Sequence, residues 1–132
     1  MASVYREIVV DVPASRAWAA LQDMGRADRL FAGVLVSCSL AEGVRTVEFA
    51  NGFVAKERVI TVDHERRRVV YSALNEAFVH HSATMQIVAE GDARCRFVWT
   101  SDVLPEQAAD RITPLIDAGC AAVKKNLEGG AA

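Results

Sequence analysis

Residues 44–63 read VRTVEFANGFVAKERVITVD, and this stretch decides the fold. The pair Asn51-Gly52 lies between two segments in which apolar residues tend to recur at every second position. An Asn-Gly pair in such surroundings is the strongest short-range signal of a β-hairpin. The sequence therefore predicts that Val44–Ala50 and Phe53–Asp63 are antiparallel neighbours.

The same pattern continues on both sides of this hairpin. Turn residues recur at 42–43, 63–66, 75–76 and 91–92. Connections this short join antiparallel neighbours. The further predicted strands are Val34–Leu40, Arg67–Leu74, Val79–Glu90 and Ala93–Val103, with Val4–Val12 ahead of them. Together these segments predict a seven-stranded antiparallel sheet.

Two short helical segments are predicted between the first strand and the meander. Pro13 ends the strand because proline cannot donate to a ladder, and Ser15 is the predicted N-cap of the first helix. Gly25 can take the left-handed conformation that ends a helix. A second piece, Arg26–Phe31, is expected to close at Gly33.

The C-terminal segment returns to a helical period. Pro105 suits a first helical turn, and Pro114 either kinks the helix or marks the start of its main part. The apolar positions recur at three and four: Ile112, Leu115, Ile116, Gly119, Cys120, Val123 and Leu127. One long helix should cover the apolar face of the sheet, which makes the fold class α+β.

Length and composition limit the classes of function. The 132 residues predict one domain over 1–132, and 15 basic against 17 acidic residues give a net charge of −2. This balance argues against nucleic-acid binding. No apolar run reaches the ~20 residues of a membrane span. Three cysteines without CxxC spacing predict a reduced, cytoplasmic protein, and nothing indicates a cofactor or an oligomeric state.

Strand alternation predicts which side chains face the long helix. In Val79–Glu90 the apolar phase contains His81, Ala83 and Met85, so His81 is predicted to face inward and His80 outward. In the last strand the same argument turns Phe97 and Trp99 inward.

The phase of Phe53–Asp63 is ambiguous. One set contains Phe53, Ala55, Glu57 and Val59, and the other contains Val54, Lys56, Arg58 and Ile60. We choose the set with Glu57, because burying one carboxylate costs less than burying two cations. Tyr71 in the following strand is expected to offer its hydroxyl to the same space.

Four segments carry a resemblance to a known superfamily. They are VDVPASRAW at 10–18, Glu57-Arg58-Val59 with Asp63 and Val70-Tyr71 downstream, Trp99-Thr100 leading to Pro105, and AAVKKNLE at 121–128. In this order they resemble the START-like superfamily, also called SRPBCC, which includes polyketide cyclase/dehydrase-like proteins and plant abscisic-acid receptors. The resemblance implies a helix-grip fold, in which a curved sheet wraps around the long helix and encloses a cavity for an apolar molecule.

The resemblance to the hormone receptors is incomplete. Their glutamate at the position of Glu57 lines the pocket, which agrees with the chosen strand phase. Their carboxylate-binding lysine corresponds to Val36, and their gate loop is replaced by the Asn51-Gly52 turn. Hormone sensing is therefore not expected, and an acidic ligand loses its obvious partner.

Two functions remain open from the sequence. The first is binding or carriage of an apolar, lipid- or polyketide-like small molecule; the alternative is an aromatase/cyclase-like enzyme in which His81 and Glu57 transfer protons. Apolar surroundings lower the pKa of a histidine and an ionised carboxylate raises it, so the direction for His81 stays open. The predicted ligand-contacting residues are Glu57, Val59, Tyr71, His81, Ala83, Met85, Phe97, Trp99, Ile116, Gly119, Cys120 and Val123.

Two further possibilities are a zinc site and a module that assists a partner protein. A zinc site from His81, Cys95 and Cys120 lacks ligand spacing, so no metal is predicted. A module that assists a partner protein would carry an exposed apolar patch, which the sequence does not reveal.

Overall fold

A computed structural model describes residues 2–130 and 132 of the chain. In these residues seven strands and three α-helices follow the order that the turn signals predict. The strands are β1 (Ser3–Val10), β2 (Leu35–Ala41), β3 (Val44–Phe49), β4 (Val54–Asp63), β5 (Arg68–Ala73), β6 (His80–Glu90) and β7 (Arg94–Leu104). The helices are α1 (Ala14–Leu21), α2 (Ala27–Leu30) and α3 (Ala108–Glu128), with one 3-10 turn at Met24–Arg26.

The strands form one antiparallel sheet in the order β1-β7-β6-β5-β4-β3-β2. The meander runs in sequence order from β2 to β7, and β1 joins its edge by pairing with β7, with Ile8 opposite Phe97. Register shifts interrupt the pairing of β2 near Leu35 and of β4 between Val59 and Thr61. Such irregularities bend a strand, and they help this sheet to curve around α3.

The β-hairpin predicted at Asn51-Gly52 is present. The amide of Gly52 donates to the carbonyl of Phe49 at 2.9 Å, and that of Phe49 donates to Phe53 at 2.8 Å. Gly52 has φ +91°, a conformation in which a side chain would strain the backbone. The Asn-Gly signal therefore identified the turn correctly.

Helix α3 packs on the concave face of the sheet, as its apolar stripe predicts. Ile116, Val123 and Leu127 are buried against the strands, and this contact joins the core beneath α1 and α2. Pro114 lies inside α3, which begins six residues earlier at Ala108. Pro114 therefore does not mark the start of the helix.

The predicted ends of the first helix were wrong. Helix α1 is preceded by Pro13 as its N-cap and ends at Leu21, so Ser15 lies inside it. The carbonyl of Pro13 accepts the amides of Arg16 and Ala17, which places the first turn earlier than the Ser15 signal suggests. Gly25 lies in the 3-10 turn instead of ending the helix.

Among the residues that the structure describes, no helix is long and apolar enough to cross a bilayer.

Candidate ligand-binding cavity

A cavity of about 510 Å³ lies between the concave face of the sheet and α3. Its wall is mainly apolar and comes from strands β3 to β7, the segment before β6, α2 with the residues that follow it, and the first half of α3. The larger apolar side chains in the wall are Phe31, Val47, Phe49, Phe78, Met85, Trp99, Ile112 and Ile116.

The rim of the cavity is partly exposed. Phe53, Val54, Leu74 and Leu115 line the cavity and are each 40–53% exposed. Lys56 and Arg111 also contribute to this outer part of the lining. The cavity is therefore open to solvent at one end, and its opening combines apolar with cationic side chains.

Seven of the sequence-predicted residues lie in the cavity wall. They are Glu57, Tyr71, His81, Met85, Trp99, Ile116 and Gly119. The inward phase chosen for β4 is confirmed, since Ala55, Glu57 and Val59 alternate with exposed neighbours. Contact of these residues with a ligand stays a prediction.

The other five predicted residues lie outside the cavity lining. They are Val59, Ala83, Phe97, Cys120 and Val123. Ala83, Phe97, Cys120 and Val123 are buried in the core, and Val59 packs against it. Strand phase predicts which face of the sheet a residue occupies. It does not predict whether α3 packs directly on that residue or leaves a cavity over it. Towards β1 and β7 the helix packs directly on the strands, and the cavity opens on the other side.

Gly119 allows α3 to approach Trp99 closely. A Cβ atom at Gly119 would lie 2.6 Å from Cζ3 of Trp99, which is too close for any real contact. The Trp99 ring also packs edge-on against Phe31, with 5.8 Å between the ring centroids. These contacts close one side of the cavity.

A buried ion pair lies in the wall. Arg45 of β3 is directly opposite Glu57 of β4, and Glu57 Oε1 accepts hydrogen bonds from Nε and Nη2 of Arg45 at 2.9 and 2.7 Å. The two side chains are only 7% and 13% exposed. The guanidinium carbon lies 4.8 Å from the centroid of the Tyr71 ring. The charge of Glu57 is therefore neutralised within the wall.

Arg45 was not identified from the sequence. It lies two residues before Val47 and so shares the inward phase of β3, which could have found it. Ser101 was missed in the same way, because it continues the inward set of Phe97 and Trp99 on β7. Both residues line the cavity.

His81 lies in the wall and His80 on the outer face, as predicted. Nδ1 of His81 accepts the backbone amide of Ala73 at 2.9 Å, so the proton of the neutral ring is on Nε2. Burial, and to a smaller extent the charge of His80, lowers the pKa of His81 below its ordinary value. At neutral pH His81 is therefore an uncharged hydrogen-bond donor.

The sheet has an unusual connection at this point. Main-chain pairing of β5 with β6 reaches Tyr71 opposite Ala83. Beyond it, Ala73 donates to the imidazole of His81, and Oγ of Ser72 donates to the His81 carbonyl at 2.6 Å. A second hollow, of about 410 Å³, lies on the outer side and shares Ala73, Phe78 and His81 with the main cavity.

The side chains considered for a zinc site were His81, Cys95 and Cys120. In the described part of the chain, no three His, Cys, Asp or Glu residues are grouped so that they could hold a metal ion. Burial raises the pKa of the Cys120 thiol to about 11 and also raises that of Cys95. Metal binding needs a thiolate, so burial opposes it at both cysteines.

Comparison with known proteins places the chain in a family. The family described as polyketide cyclase / dehydrase and lipid transport matches residues 1–132, and the chain belongs to it. The START-like resemblance and the helix-grip fold are thereby confirmed. None of the curated proteins compared is similar enough to count as a match.

Solved structures share the fold at low sequence identity. An uncharacterised protein from Bacillus thuringiensis is 16% identical, with 96% of this chain and 98% of that chain covered and a TM-score of 0.85. The Zhui aromatase/cyclase from a Streptomyces species is 18% identical, with 98% and 92% covered and a TM-score of 0.75. Truncated norcoclaurine synthase from Thalictrum flavum is 18% identical, with 93% and 91% covered and a TM-score of 0.71.

Proposed function

We propose that this protein binds or carries an apolar small molecule, lipid- or polyketide-like, in the cavity between the sheet and α3. The observation that carries the proposal is the cavity itself, with its volume of about 510 Å³ and its mainly apolar wall. Small-molecule sites commonly have volumes of roughly 300–1,000 Å³, apolar walls and a few polar groups. The family description, which includes lipid transport, supports the same reading.

Binding ranks ahead of catalysis because of the state of the two predicted proton-transfer groups. Nδ1 of His81 is occupied by the amide of Ala73, and neutral Nε2 already carries a proton, so the ring has no free lone pair. Glu57 is held by Arg45. A general base must have a lone pair within reach of the substrate proton, and the neutral His81 ring has none to offer. The aromatase/cyclase-like alternative therefore rests on the likeness to proteins such as the Zhui enzyme.

A matched pair of variants on β4 tests the proposal. Ala55 faces the cavity and Arg58 faces the opposite side of the same strand. With the apolar dye N-phenyl-1-naphthylamine, we expect saturable binding to the native protein. Ala55→Trp should weaken this binding by roughly tenfold or more, because an indole ring fills part of the cavity, and Arg58→Trp should leave it unchanged. Equal effects of the two variants, or no saturable binding at all, would contradict the proposal.

A further inference from the structure

Two hydroxyl groups in the cavity wall have no partner in the protein. Tyr71 is 6% exposed and Ser101 is 2% exposed, and both line the cavity. Among residues 2–130 and 132, neither side-chain hydroxyl takes part in a hydrogen bond. Neither oxygen is among the fully enclosed polar atoms that lack a partner, so both hydroxyls are reachable from inside the cavity, and a ligand there can supply the missing hydrogen bond.

The sheet places these two residues in one row across its strands. Tyr71 of β5 is opposite Ala83 of β6, and Ala83 is opposite Ser101 of β7. Adjacent strands are ~4.8 Å apart, so the two positions are separated by about 10 Å. Ala83 between them carries only a methyl group. His81 lies two residues from Ala83 on the same face, about 7 Å along the strand.

The charges around this row cancel. Arg45 approaches the Tyr71 ring, but its charge is balanced by Glu57 in the same wall. Burial raises the pKa of Tyr71, so its phenol keeps its proton. Nε2 of His81 is likewise a donor. The row therefore presents O–H and N–H groups without a net charge, and an unpaired buried anion beside it would be costly.

We propose that Tyr71 and Ser101 bind neutral oxygen acceptors, such as ketone or ester carbonyls, on the apolar ligand of this cavity. The inference rests on the proposed binding function and specifies the ligand class. The apolar wall holds the carbon skeleton, and the two hydroxyls, with His81 beside them, donate to its oxygen atoms.

Three probes of similar shape separate the contributions of the carbonyl oxygen, the apolar skeleton and a negative charge to binding. They are 2-acetylnaphthalene, which carries the carbonyl, 2-isopropenylnaphthalene, in which a carbon replaces that oxygen, and 2-naphthoate, which carries a negative charge. Their affinities are measured by displacement of the dye from the native protein, from Tyr71→Phe, from Ser101→Ala and from the double variant. Thr100→Val is the control, because it removes a hydroxyl next in sequence to Ser101 but outside the cavity lining.

We expect the affinity for the ketone to fall by roughly tenfold or more in the double variant, which removes both hydroxyls that could donate to its carbonyl. Because the two positions are about 10 Å apart, the single carbonyl of this probe should rely mainly on one of them. One single variant should therefore show most of the loss, and Thr100→Val should show none. The affinity for the hydrocarbon should stay the same or increase in every variant. Native protein should bind the ketone more tightly than 2-naphthoate at pH 8.

Each contrary result has a distinct meaning. Equal losses for ketone and hydrocarbon, or no loss for either, would overturn the inference, because the hydroxyls would then be structural or simply hydrated. Tighter binding of 2-naphthoate would overturn it in favour of an anionic ligand held at Lys56 or Arg111. If the hydrocarbon does not bind the native protein either, the proposed function fails together with the inference.

Discussion

Separating the buried pair of Arg45 and Glu57 should destabilise the protein strongly and asymmetrically. Glu57→Leu leaves the Arg45 guanidinium 7% exposed with no carboxylate, and arginine cannot release its proton. Breaking a buried pair from one side costs about 3–5 kcal/mol in the free energy of unfolding. Because Glu57 borders an open cavity that admits water, we expect the lower part of this range.

Arg45→Met should cost less than Glu57→Leu. It leaves the Glu57 carboxylate without its cationic partner, but this side chain is 13% exposed against 7% for Arg45, so water can reach it more readily. The double variant Arg45→Met/Glu57→Leu replaces the pair by apolar side chains. Such replacements are often neutral or stabilising, so we expect it to lie within about 1 kcal/mol of the native protein or above it.

Urea unfolding at pH 5 and pH 8 is measured for the native protein, the two single variants and the double variant. The midpoint and slope of each curve give the free energy of unfolding. Arg66→Met is the control, because Arg66 forms an exposed pair with Asp63, and its loss should cost less than about 1 kcal/mol. If the two single changes add up to the double change, the side chains are not coupled and our description of the wall is wrong.

Two further predictions concern α3 and the histidines. Ile116→Ala should cost about 2–5 kcal/mol and Val123→Ala about 1–3 kcal/mol in urea unfolding, and only Ile116→Ala should alter dye binding, because Val123 lies outside the cavity. Neutral results for both would mean that the buried face of α3 is misassigned. Because folding lowers the pKa of His81, its contribution to stability is complete above pH ~6.5 and is lost as the pH falls through the folded pKa. His81→Leu should remove this part of the pH dependence and change dye binding, whereas His80→Leu should weaken the pH dependence slightly and leave dye binding unchanged. The reverse result would contradict the strand phase.

Much of the fold follows from local signals in the sequence. The Asn51-Gly52 turn and the alternation around it predict the meander, and the stripe from Ile112 to Leu127 predicts α3. These signals act within one hairpin or one helix, so they survive in the sequence as short patterns. The ends of α1 were less predictable, because the carbonyl of Pro13 competed with the Ser15 cap.

For the site, strand phase could predict only which residues face the interior. Phase identified Glu57 and His81, and extending it by two residues would have identified Arg45 and Ser101. It could not separate wall from core, as Phe97 and Val123 show, because that depends on where the curved sheet leaves α3. The register shift between Val59 and Thr61, which contributes to this curvature, has no signature in the sequence.

The side-chain connection between β5 and β6 affects how the interior can be reached. In an ordinary sheet, a passage between neighbouring strands requires main-chain hydrogen bonds to break along the ladder. Beyond the Tyr71 and Ala83 pair, the Ala73 amide is held by an imidazole, and the rings of His81 and Phe78 border both the cavity and the outer hollow. A change of rotamer at these two side chains is a much smaller event than the separation of two strands. Between the cavity and the outer hollow, the wall is therefore formed in part by the side chains of His81 and Phe78 and not only by main-chain pairing.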